Sequence, residues 1–257
     1  SEFKKDKQNL ETTISLNKKN VGPNSQRTNS INTIEDINYY ELENEKLKIQ
    51  FSNHGGRITS VILKDFKTHD GHPLELFNAD SSLFNLQFTT GNIINTQDHL
   101  FSLYQEKSDE LCMRLYLDTN RYVEFSYNLS EEYIIDLDIT LIGINEVVPS
   151  TINYMNLDWG MKTPKTEKSR SNQDMYTGIY YQYQIDKEVD NLSLTKTDEE
   201  TINSKLSWIA FKQQFFSSIF IAKNGFEKPA YLKSIKDDNS KYIKNLYAKI
   251  DLPFLHK

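Results

Sequence analysis

From Leu111 to Leu141, apolar side chains return at every second residue in three consecutive runs. Leu111, Met113, Leu115 and Leu117 alternate with Cys112, Arg114, Tyr116 and Asp118. Val123, Phe125, Tyr127 and Leu129 make one face of the next run. Tyr133, Ile135, Leu137, Ile139 and Leu141 make another, opposite Asp136, Asp138 and Thr140. A period of two sends alternate side chains to opposite sides of a strand, so each run reads as a strand with one face in a core. Phe84, Leu86 and Phe88 repeat the pattern, and Asp70-Gly71, Gly91-Asn92 and Asp118-Thr119-Asn120 break the chain between runs. Short strands at this rhythm, with no helical period between them, predict an all-β antiparallel sandwich or barrel. The 15 tyrosines and 14 phenylalanines, against 9 glycines, tilt propensity the same way.

Two stretches anchor this pattern. In Phe51–Phe66, FSNHGGRITSVILKDF, an alternating run through Leu47, Ile49 and Phe51 meets Gly55 and Gly56 and returns through Ile58, Val61, Ile62 and Leu63. Glycine reaches positive φ without steric cost, so this is a hairpin that starts a sheet. The second anchor is Leu206–Ala222, LSWIAFKQQFFSSIFIA. Aromatic density at Ile179–Tyr183 and Phe211–Phe220 points to strands buried on both faces between two sheets, in preference to a groove that accepts a partner. Lys212 then needs a carboxylate or the solvent at a sheet rim. Trp159-Gly160 is expected to end a strand, Met161–Gln173 to be a polar loop, Asp186–Ser204 a polar excursion, and Asn224-Gly225 a turn before a last apolar run at Tyr242–Phe254. Residues 1–36, rich in Asn, Lys, Ser, Thr and Gln, read as a linker, with Ile31, Ile34 and Ile37 as tethers to a folded domain spanning 37–257.

The formal charge of -6, evenly mixed, argues against nucleic acid and against an anionic membrane surface. Cys112 is the single cysteine, so no disulfide forms within the chain. The most apolar stretch, Leu206–Ala222, is interrupted by Lys212, Gln213 and Gln214 and is too short to span a bilayer.

No residue set completes a catalytic or metal signature. His69 and His72 flank Asp70-Gly71 at ligand spacing, but a zinc site wants three or four rigid ligands and this stretch is turn-forming. His54 beside the glycine pair reads as a turn residue at a sheet rim rather than a general acid. Asp136 and Asp138 share one strand face, as paired carboxylates of hydrolases can, but a solvated face explains them better. Asp198-Glu199-Glu200 lacks calcium-loop spacing. No catalytic residue, cofactor or metal is predicted.

Three segments resemble the large periplasmic domain of the bacterial YidC membrane-protein insertases. LKIQFSNHGGRITSVILKDFKT is similar to that family's strand–Gly-Gly–strand start. LDWGMKTPKTEK is similar to its tryptophan strand and following loop. WIAFKQQFFSSIFI is close to its W-x-x-x-K-Q-Q-F-F pattern; with the glycine pair, the resemblance marks Gly55, Gly56, Trp208, Gln213, Gln214 and Phe216 as family motif positions. The Asn-, Lys- and Ile-rich style points to a Bacteroidetes-like source. The resemblance implies a β-supersandwich of the galactose mutarotase type with few short helices, on the periplasmic face of the inner membrane. It implies a linker after a first transmembrane helix at residues 1–36, and a domain whose C-terminal end continues toward the membrane. It implies a non-catalytic accessory module, with its own transmembrane core, Sec translocon components and nascent membrane proteins as partners. Trp159, Tyr181, Tyr183, Lys212 and Phe215 are the residues expected at a groove or partner contact. The alternative on the same fold is a sugar-binding or epimerase protein. That chemistry needs an acid and a base astride the sugar, and the chain has no histidine between His99 and His256.

Overall fold

The structure is a computed structural model that describes residues 36–253. Its strands form three antiparallel sheets. The first contains β1 (Tyr39–Glu43), β2 (Leu47–Ser52), β3 (Arg57–Lys67) and β4 (Pro73–Phe77) in that order. The chain then enters the large sheet with β5 (Ser82–Thr89) and β6 (Ile93–Asn95). It leaves to build a second four-stranded sheet from β7 (Ser102–Glu106), β8 (Glu110–Tyr116), β9 (Tyr122–Leu129) and β10 (Ile135–Ile142). It returns through β11 (Tyr154–Lys162), helix α1 (Arg170–Tyr176), β12 (Gly178–Tyr183), β13 (Val189–Asn191), β14 (Asp198–Ile202), β15 (Leu206–Lys212), β16 (Ser217–Lys236) and β17 (Lys244–Pro253). The large sheet has nine strands in the order β13-β12-β15-β16-β17-β11-β5-β6, with β14 also on β16. This is the all-β supersandwich expected, around one hydrophobic core.

The alternation seen in sequence decides which faces meet. Leu47, Ile49 and Phe51 on β2, and Val123, Phe125 and Tyr127 on β9, are buried, whereas Asp136 and Asp138 on β10 are exposed. Gly55 and Gly56 take φ of +83° and +61° in the β2–β3 turn. A Cβ on Gly56 would stand 2.9 Å from the Phe101 ring, so this turn needs glycine for space as well as for backbone. The Tyr127 hydroxyl donates to the Gly56 carbonyl at 2.8 Å, tying the turn to β9.

Several expectations are corrected. β11 continues past Trp159-Gly160 to Lys162, and α1 lies inside the stretch read as a loop. The Ser169 side chain caps α1 by accepting from the Asn172 amide, and buried Gln173 accepts from the Thr166 and Glu167 amides. Local polarity hid the helix because its hydrogen bonds serve the loop and not an apolar face. The excursion Asp186–Ser204 contains β13 and β14; β14 pairs in register from Asp198↔Ser234 to Ile202↔Ala230. Backbone pairing makes those strands despite their acidic side chains. Asn224-Gly225 is not a turn but a point within the 20-residue β16, where Gly225 takes a φ of +76°. Ile31 and Ile34 lie outside the described residues, and Ile37 is exposed.

Candidate functional site: an apolar groove between the sheets

The first sheet, β10, β11 and the β15–β16 hairpin enclose a groove of about 860 Å³. Its floor is Phe84, Trp159, Gly160 and Met161 on neighbouring strands β5 and β11. One wall is Leu47, Ile49, Ile58, Val61 and Leu63 of β2 and β3, and Ile135 and Leu137 of β10 add to it. The opposite wall is Phe215–Phe220 at the tip and start of the β15–β16 hairpin. Phe66, Tyr133, Phe215 and Ile219 line it while remaining 41%, 45%, 68% and 54% exposed. Among the described residues Lys67 and Glu167 are its only acidic or basic lining side chains.

The hairpin is positioned by its own motif. The Gln213 amide donates to the Phe216 carbonyl at 2.7 Å, closing the turn. Gln213 is buried, and its Nε2 donates to the Leu76 carbonyl of β4 at 3.2 Å, fixing the tip against the first sheet. Phe216 meets Phe66 edge-on with centroids 5.0 Å apart, which leaves Phe215 pointing outward. Ser218 Oγ is buried and has no hydrogen-bond partner among the described residues. Burial pushes the Tyr127 phenol at the groove wall well above the ordinary tyrosine range.

The expected contact residues divide. Trp159 and Phe215 line the groove, as does the motif residue Phe216. Tyr181 does not: it is fully buried and its hydroxyl donates to Glu200 Oε2 at 3.2 Å, so it has no free face to offer. Tyr183 packs edge-on against Tyr181 at 5.6 Å. Among the described residues Lys212 reaches no carboxylate; its Nζ donates to the Tyr176 carbonyl at 3.2 Å and lies over the Tyr176 and Tyr180 rings. The stretch Phe211–Phe220 is not buried on both faces, since Phe215 and Ile219 are 68% and 54% exposed. Trp208 is half-buried within β15, and Gln214 borders a polar hollow beside Lys168 and Asn172 that Phe215 also borders. Sequence reasoning missed Phe66, Ile135 and Leu137 as groove residues, because periodicity gives a side chain's face but not what stands across from it.

The histidines lie elsewhere. His54 is exposed in the β2–β3 turn, and His69 Nδ1 is 3.3 Å from the Thr166 carbonyl. Among the described residues no three of His, Cys, Asp and Glu come together as a metal set. Cys112 is buried, and desolvation raises its thiol above the ordinary range. Among the described residues no helix is long and apolar enough to cross a membrane.

The family described as YidC periplasmic domain matches residues 40–253. A membrane protein insertase YidC of Bacteroides fragilis is 32% identical over 215 residues, covering 83% of this chain and 35% of that protein. One from Porphyromonas gingivalis is 33% identical over 217 residues, covering 83% and 34%. The chain thus spans about a third of the length of these relatives. In fold it is similar to a galactose mutarotase-like protein from Lactobacillus casei, with a TM-score of 0.52 at 9% identity over 84% of this chain and 89% of that one. With the match running from the first strand to the end of the last, and the insertase relatives of Bacteroidetes type, the chain belongs to the YidC periplasmic domain family.

Proposed function

We propose that this domain is a non-catalytic contact module of a membrane-protein insertase at the periplasmic face of the inner membrane. Its groove receives segments of membrane proteins that present an apolar face on their way to the bilayer. Its own transmembrane core and Sec translocon components are further partners. The observation that carries this reading is the rim of Phe66, Tyr133, Phe215 and Ile219, apolar side chains kept in water around an apolar groove. Exposed aromatics around a concave apolar surface are the usual anchors of a protein contact.

The sugar-binding or epimerase reading fits this groove less well. A hexose entering it would lose water from its hydroxyls, and each hydroxyl left unpaired costs about 1–3 kcal/mol. The lining offers few partners for them: Lys67, Glu167, Ser82, Ser217 and Ser218 with the tyrosine hydroxyls. None of His54, His69, His72 or His99 lines it.

The test is a photocrosslinking scan in the full-length insertase during synthesis of a membrane protein. Probes at Phe215, Ile219 and Ile135 are expected to capture the emerging chain, and a probe at Glu124 on the outer face of β9 is not. Equal labelling at all four positions overturns the groove as the contact. A saturable change in tryptophan fluorescence with hexoses would favour the sugar reading, since Trp159 lines the groove.

A further inference from the structure

The free edge of β10 runs beside this groove, and its backbone geometry defines what can pair with it. Among the described residues β10 pairs with β9 alone, from Ile135↔Leu129 to Ile142↔Tyr122. The Leu129 amide donates to the Asp109 carbonyl at 2.7 Å, on the β8 side, while the Ser130 amide donates to the Ile134 carbonyl at 3.0 Å, on the β10 side. Hydrogen bonds in an antiparallel ladder alternate sides residue by residue. The residues of β9 that bond β10 are therefore those opposite Asp136, Asp138 and Thr140. It follows that the N–H and C=O groups of Ile135, Leu137, Ile139 and Leu141 point away from β9. Among the described residues, no hydrogen bond from outside the sheet reaches them.

Resting on the proposed role of the groove, we propose that its occupant is held as an added strand on β10 and alternates apolar with basic residues. A residue bonded opposite Leu137 presents its side chain on the same face as Leu137, which lines the groove. Its neighbours fall beside Asp136 and Asp138, exposed carboxylates that face Asn128 and Ser126 and have no ion pair among the described residues. Cross-strand opposite charges are favourable and like charges are not. The same rule argues against a second copy of this chain paired about Leu137, which would set Asp136 against Asp138 of the other copy.

The test uses this chain and eight-residue peptides, read by tryptophan fluorescence and by amide exchange at β10. A peptide alternating valine and lysine is expected to bind about tenfold more tightly than one with four valines followed by four lysines, and than one alternating valine and glutamate. N-methylation of the valine amides, which face β10, is expected to cost about tenfold, while N-methylation of the lysine amides leaves affinity within about threefold. Asp136→Asn with Asp138→Asn is expected to erase the preference for lysine over glutamate, and binding is expected to slow exchange at Leu137 and Ile139. Binding that ignores N-methylation and leaves β10 unprotected overturns strand addition while the groove reading stands. Absence of peptide binding, with no chain captured at Phe215, overturns both. Concentration-dependent self-association lost with β10 protection would assign the edge to a second copy instead.

Discussion

The indole of Trp159 lies flat on the ring of Phe211, with centroids 3.8 Å apart and planes 10° from parallel. The two residues sit on strands that are not neighbours, since β16 and β17 stand between β15 and β11 in the sheet. The contact therefore folds the β15–β16 hairpin over the floor of the groove. It continues through Phe220, Phe84, Phe125 and Phe101, each ring within 6.4 Å of the next. The C-terminal anchor is thereby joined to the turn at Gly56, whose missing Cβ leaves room for Phe101. Phe211→Ala removes the support of the indole and leaves a cavity under the hairpin. It is expected to cost about 3–5 kcal/mol, measured from the urea midpoint, with a shift in the emission of Trp159.

Lys244 has a side chain with 0% exposure. Its ammonium donates to the carbonyls of Asp174, Thr177 and Leu194 at 2.9, 2.6 and 2.7 Å, and Asp174 Oδ1 lies 3.3 Å away. Burial lowers its pKa, but the three carbonyls and the carboxylate keep a charged group there intelligible. Lys244→Met matches the volume and leaves these acceptors bare. A loss on the order of 3–5 kcal/mol is expected in denaturant unfolding, with α1 and the loop around Leu194 the first segments to lose protection from amide exchange.

Gly56 and Gly71 separate two costs of a side chain. Both have positive φ, +61° and +89°, but a Cβ on Gly71 meets nothing within 4 Å. Gly71→Ala is expected to cost only the backbone penalty of about 1–2 kcal/mol. Gly56→Ala adds a collision with the Phe101 ring, typically about 1–3 kcal/mol more. Thermal unfolding of the two variants measures the difference directly.

Stability above about pH 10 is expected to fall, with Tyr127 one of several desolvated phenols responsible, beside Tyr181 and Tyr247. The Tyr127 phenol is buried and its pKa is raised by desolvation, so the folded chain holds that proton to higher pH than the unfolded chain does. Unfolding above the ordinary tyrosine value releases a proton, and stability present below that pH is lost as pH rises. Urea midpoints between about pH 9 and 11 are expected to fall in the parent and to fall less in Tyr127→Phe. At neutral pH that variant is expected to lose about 1 kcal/mol, because the Gly56 carbonyl loses its donor.

Phe215 separates binding from stability. It is 68% exposed at the groove mouth, so Phe215→Ser is expected to change stability by no more than about 0.5 kcal/mol. The same substitution is expected to weaken capture of an apolar segment several-fold, read by the crosslinking yield at Ile219.

Strand identity was legible in the sequence wherever one face met a core. The alternation on β2, β8, β9 and β10 and the glycine turn before Arg57 were readable because burial follows a period of two. Where strands owe their existence to backbone pairing, the signal was missing: β14 carries Asp198, Glu199 and Glu200, and β16 runs straight through Asn224-Gly225. The groove lay beyond sequence reasoning for a related reason. Composition marked Trp159 and Phe215, but Tyr181 looked equivalent and is sealed beneath Glu200. Alternation states which side of a strand a residue occupies. Only the packing of three sheets decides which sides close on one another and which, at Ile135, Leu137 and Phe215, are left facing a space.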